Sequence, residues 1–203
     1  MSGEKNEWGE KRLMPFLSRG LRKPKSIRHN GKRLSEILEA HGRFARMEDG
    51  GARAELAGAK LERADLRGLD LQMANFHGAH LAGADLREAR LTRADLGEAK
   101  LNGADLRSTD LSEAVMSRAD LTGAQLSGVE LFRTDLTGAI LRGANCRATN
   151  FREANLRQVD FRGADLNTAL LKDVDLSGAD LSDVDLSTTL MPRGWKTAPP
   201  AEK

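Results

Sequence analysis

From about residue 52 to residue 190 an apolar residue returns at every fifth position. The series starts at Leu56 and runs through Leu61, Leu66, Leu71, Phe76 and Leu81 to Leu186. It has 27 centres: 22 Leu, three Phe, Met116 and Cys146. Two positions before each centre stands a small residue, Ala in 19 of the 27 repeats. Neither regular element has this period. A helix would rotate successive centres by roughly 140° and smear them around the cylinder, and a flat strand would send them to alternate faces. The chain must therefore turn at every repeat. The slot before the centre is Asp in 13 repeats and Asn in four, side chains that bond nearby backbone groups and support turns. Gly often closes the repeat, as at Gly68, Gly78, Gly103 and Gly123, where a turn calls for positive φ.

If each corner turns by about a right angle, four repeats close a square coil, and coils stacked about 4.8 Å apart bury the Leu and Ala columns. The 27 repeats give nearly seven coils, a rod on the order of 32 Å long. The expected fold is all-β, a quadrilateral β-helix over residues 52–191. The units Ala84-Asp85-Leu86-Arg87-Glu88 and Ala104-Asp105-Leu106-Arg107-Ser108 resemble those of the pentapeptide-repeat family, and the resemblance covers about two thirds of the chain. It implies a right-handed β-helix; the hand does not follow from the period. Departures are mild: Leu69, Thr109, Val129, Thr134, Thr149, Val159, Val174 and Val184 stand where Ala is usual. They should widen the coil locally without breaking it.

The flanks read differently. Residues 34–47 have the spacing of an amphipathic helix, with Ser35 as N-cap, Glu36 in the first turn and Leu34, Ile37, Leu38, His41, Phe44 and Ala45 on one side. Gly50-Gly51 would stop it. A capping helix over the first coil is expected within 34–50. Residues 1–33 carry ten Lys/Arg against three Glu and read as a flexible basic arm. Its contact candidates are Trp8, Phe16, Arg19, Arg22 and Lys23, a mixture suited to a membrane surface through residues 7–25. Residues 192–203 read as a tail, and the open last coil suggests homodimerisation through the C-terminal end.

Net charge is +2 overall, but residues 52–190 hold 17 Lys/Arg against 22 Asp/Glu. In the rod one feature stands out. Arg142, Arg147, Arg152, Arg157 and Arg162 follow five successive centres and belt one coil. The next stretch turns acidic, with Asp175, Asp180, Asp183 and Asp185 among its carboxylates. With the outward Phe132, these are the candidate partner-binding residues. Carboxylates spread evenly over a convex wall make no desolvated pocket for acid–base work, and no nucleophile or phosphate-binding motif is present. Four His and one Cys, unclustered, make no zinc site. Catalysis, metal and cofactor are not expected. No apolar run reaches the roughly 18 residues of a membrane span, and a cytoplasmic protein, peripheral to the membrane if its arm engages one, is the expectation.

The leading function is a scaffold rod that binds a protein partner through patterned charge. The family resemblance implies an alternative, since some members resemble duplex DNA, bind type II topoisomerases and confer quinolone resistance. A rod with Arg on several faces fits that poorly. The third reading is a membrane-surface adaptor carried by the arm. Nucleic acid is not an expected partner.

Overall fold

The computed structural model describes residues 20–195. Within the rod, the residue before nearly every centre pairs in parallel with its counterpart 20 residues later, from Glu55 with Asn75 to Leu170 with Leu190. Four repeats make one coil, as corners of about a right angle imply. The rod has four walls: face I with Leu56 and Phe76, face II with Leu61 and Leu81, face III with Leu66 and Leu86, and face IV with Leu71 and Leu91.

Backbone accounting explains the repeat. The Leu56 N–H donates to Asn75 C=O at 2.7 Å and Gly58 N–H to His77 C=O at 2.8 Å, while Asn75 N–H returns to Ala54 C=O at 2.9 Å. Ala59 N–H closes the corner on Leu56 C=O at 3.0 Å. One N–H per repeat, that of the residue after the centre, gains nothing from this ladder. The Asp or Asn before the centre takes it: Ser112 donates to Asp110 at 3.0 Å, Gly97 to Asp95 at 2.9 Å and Thr137 to Asp135 at 3.0 Å. The preference for Asp and Asn thus answers a specific orphan donor. Corners are left-handed at Gly103 (φ 65°), but also at Arg93 (60°), Glu98 (57°) and Gln158 (57°). There the ladder on both sides holds a side chain where glycine would cost least.

The core is narrow. Centres from Leu56 to Leu171 and nearly every residue two before them are fully buried. Thr109, Thr134, Thr149 and Thr189 replace Ala without an unmet hydroxyl, because each donates to a carbonyl one coil below: Leu86, Leu111, Leu126 and Leu166 at 2.7–2.9 Å. Cys146 is wholly buried, and burial, with the Asp165 charge adding, pushes its thiol well above the ordinary range.

The first coil meets helix α1 (Leu34–Ala45). Leu34 and His41 are buried, Ile37 and Leu38 pack against the core, and Ala52 N–H donates to Ala40 C=O at 3.0 Å. His41 Nδ1 accepts the Ala54 N–H at 3.1 Å, and its ring stacks on Phe44 at 5.6 Å. Two details differ from the sequence reading. The N-cap is Arg33, whose N–H is taken by Glu36 at 3.0 Å, so Ser35 lies inside the helix. The helix also ends at Ala45, before Met47 turns left-handed (φ 56°). Gly51 serves close approach instead: a Cβ there would meet the Phe44 nitrogen at 2.4 Å.

The arm boundary at residue 33 also needs correction. Residues 20–33 fold against the rod: a turn of 3-10 helix (Pro24–Ser26), then the hairpin of β1 (Arg28–His29) and β2 (Lys32–Arg33). Ile27 is buried, and its carbonyl accepts Leu34 N–H at 2.8 Å. Arg22 N–H donates to Arg63 C=O at 2.7 Å and Asp65 N–H to Arg22 C=O at 2.9 Å, so the segment adds a rung below face III. Backbone ladder groups that the first coil leaves open supply the physical reason.

At the other end, no coil or helix among the described residues covers the last coil. Val174, Ala179, Leu181, Val184, Leu186 and Met191 are only partly buried, and Trp195 keeps 37% of its exposure.

Candidate functional site

Side chains on the walls follow one geometric rule. The residue after a centre lies against the residue before the centre in the coil above, 18 positions on. On face III this builds a continuous ladder. Lys23 reaches Asp65 at 2.7 Å; Arg67 bridges Asp65 (2.8 Å) and Asp85 (3.4 Å); Arg87 bridges Asp85 (2.7 Å) and Asp105 (3.5 Å); Arg107 closes on Asp105 (2.6 Å). Asp85 and Arg67 keep only 7% and 15% side-chain exposure. The Arg67 guanidinium outweighs burial and, with Lys23 adding, holds the Asp65 carboxyl down at about 2.

The same rule disposes of most of the arginine belt. Arg142 pairs with Asp160, Arg147 with Asp165 at 3.1 Å, Arg157 with Asp175 at 3.8 Å and Arg162 with Asp180 at 3.4 Å. Arg162 also holds Asp160 at 2.8 Å, and with Arg142 it keeps that carboxyl well below the usual range against the cost of burial. Of the acidic stretch that follows, Asp175 and Asp180 are counter-ions to the belt. Asp185 accepts Ser187 N–H at 2.9 Å, and Asp183 stands at a left-handed corner (φ 60°). These charges are placed on all four faces and do not converge.

Arg152 is the exception. Eighteen positions on from it stands Leu170, not Asp, and among the described residues no carboxylate pairs with its guanidinium. One coil higher Lys172 meets Leu190 in the same way, and its closest carboxylate is Asp173 at 4.0 Å. Leu190 is 59% exposed. Arg152, Lys172 and Arg193 therefore border an open groove of about 360 Å³ whose remaining lining is Leu170, Leu190 and Met191. Phe132 sits below Arg152 in the same column of face IV, half-buried, with the Arg133 guanidinium 4.7 Å from its ring. Arg133 itself pairs with Glu153 at 2.8 Å. From the sequence candidates the structure thus brings together Phe132 and Arg152. Reading the 18-residue offset off the chain would have added Leu170, Lys172 and Leu190.

The arm candidates divide. Arg22 and Lys23 pair at the surface with the rod, with Glu62 at 3.4 Å and Asp65 at 2.7 Å; Trp8, Phe16 and Arg19 lie outside the described residues. Among the described residues no group of His, Cys, Asp and Glu is placed to hold a metal ion, and no helix is long and apolar enough to cross a membrane.

A model of pentapeptide repeats matches the chain with eight copies, in overlapping stretches that run from 52–87 to 149–187. The chain belongs to the pentapeptide-repeat family. Its rod is accordingly a right-handed β-helix, and proteins of this family are in general structural or interaction proteins without catalysis. Among solved structures, the chain is similar to HetL, a pentapeptide-repeat protein involved in heterocyst differentiation regulation from the cyanobacterium Nostoc sp. strain PCC 7120. The identity is 29%, covering 76% of this chain and 98% of that one, with a TM-score of 0.43. It is also similar to QnrB1, a plasmid-mediated fluoroquinolone resistance protein, at 23% identity over 68% of this chain and 77% of that one, TM-score 0.46. Likeness at this level says nothing of partners. No curated protein matches the sequence.

Proposed function

We propose that this pentapeptide-repeat protein is a non-enzymatic interaction rod, capped at its N-terminal end by α1, that binds a protein partner through the C-terminal part of face IV. One observation carries the reading: the wall rule that neutralises Arg142, Arg147, Arg157 and Arg162 is broken at Arg152 and Lys172, where Leu170 and Leu190 replace the carboxylate. Arg152, without a carboxylate among the described residues, and Lys172, held only by Asp173 at 4.0 Å, stand around exposed leucine as an interface core and rim in miniature.

Mimicry of DNA is less well supported, because carboxylates on several faces are already held by arginine. Membrane recruitment loses Arg22 and Lys23, which are engaged by the rod. End-to-end pairing of two copies is a second use of the same end, favoured by the partly buried Leu181, Val184 and Leu186; light scattering of the purified chain separates it. The test of the main reading is photocross-linking in cells. Leu190→benzoylphenylalanine should give light-dependent adducts of defined mass, and Thr137→benzoylphenylalanine on face I should not. Equal yields from both positions would remove face IV as the binding surface.

A further inference from the structure

We propose that the occupant of the face IV groove is an extended segment of a protein partner, carrying apolar residues between carboxylates. This rests on the reading of face IV as the partner surface and adds the partner's chemistry. Three features select it. The groove's charged groups are Arg152, Lys172 and Arg193, all cationic, so the ligand supplies the carboxylates that the wall omits. The floor between them is Leu170, Leu190 and Met191, which a bare anion leaves in water and an apolar side chain covers.

The third feature is the backbone. Leu190 spends its N–H on Ala169 C=O and its C=O on Leu171 N–H, both at 2.9–3.0 Å. In every lower coil of face IV the carbonyl two before the centre and the N–H of the centre receive the coil above, as Leu69 C=O and Leu71 N–H do. Here those groups are Thr189 C=O and Met191 N–H, and among the described residues no coil lies above them. An extended peptide can pair with such an edge; a phosphodiester chain or a lipid headgroup cannot.

The test is fluorescence anisotropy with the full chain and a labelled, end-blocked octapeptide holding two leucines flanked by glutamates. Its glutamine and lysine counterparts, an oligothymidylate and phosphatidylserine vesicles complete the set. The glutamate peptide should bind saturably, and about twofold to thirtyfold more tightly than the glutamine peptide, the range expected for two exposed ion pairs. The double variant Arg152→Glu/Lys172→Glu should reverse the preference toward the lysine peptide while its melting curve stays that of the parent. Absence of saturable binding, equal binding of the glutamine peptide, or an unchanged preference in the double variant overturns the proposal. A preference for oligothymidylate or vesicles overturns it in favour of those ligands. If the peptides fail while the Leu190 cross-links persist, only the partner's chemistry is lost; if the cross-links vanish as well, so is the surface.

Discussion

The lower part of face III and the upper part of face IV use the same slots for opposite ends. On face III, arginine after one centre meets aspartate before the centre above, and Lys23, Asp65, Arg67, Asp85, Arg87, Asp105 and Arg107 close into one ladder. On face IV, Arg152 and Lys172 occupy the arginine slot and Leu170 and Leu190 the aspartate slot. A single slot, Asp or Leu, decides whether a cation serves the wall or is left facing solvent. Charge content alone does not distinguish the two regions; the carboxylate two positions before the cation or 18 positions after it does.

The strongest way to break both regions is to break the core beneath them. Leu106 is fully buried under the face III ladder. Leu106→Asp buries a charge without a partner, and the expected cost is about 4 kcal/mol or more, enough to abolish cooperative melting. Arg107→Ala, one residue on and half-exposed, should leave the melt nearly unchanged. Comparable losses in the two variants would mean that the inward and outward assignments are wrong. Cys146 supplies an independent readout: its buried thiol should resist alkylation in the native rod and react only as the coils open.

Next in size is the ladder itself. Asp85→Ala leaves Arg67 and Arg87 each short of one carboxylate in a nearly closed setting, and about 2–3 kcal/mol of destabilisation is expected from chemical denaturation. The same ladder sets an acid response. Because Asp65 titrates at about 2 in the folded chain and near 3.8 otherwise, its contribution is complete above pH 3.8 and disappears as the pH falls toward 2. That contribution is worth about 2 kcal/mol. Asp65→Asn should flatten this part of the pH–stability curve. A variant that loses stability over the same interval as the parent would place the acid-sensitive group elsewhere.

Much of this was legible in the chain. The five-residue period required a turn at every repeat, and the pairing of Glu55 with Asn75 is the 20-residue coil that right-angle turns give. The Asp and Asn preference was readable as turn chemistry, although the N–H it serves becomes apparent only when the ladder is counted. The belt arginines were readable as a group, yet their neutralisation was not, because a belt seen along the sequence hides the stagger between coils that sets Arg142 against Asp160. Residues 20–33 were missed for a different reason. Their pairing with Arg63 and Asp65 has no periodicity and depends on open backbone groups of the first coil, which no local pattern in the arm announces.

The smallest expected change in stability accompanies the most informative substitution. Leu170→Asp turns the face IV slot into the face III slot and gives Arg152 the carboxylate it lacks. The measurement is a paired one on this variant: thermal midpoint, and yield of the Leu190→benzoylphenylalanine adduct in cells. The account predicts a midpoint unchanged or raised by the equivalent of up to about 1 kcal/mol, together with loss of most of the adduct. An undiminished adduct, or a midpoint lowered by several degrees, would contradict the claim that leucine in this slot exists for a partner and not for the fold.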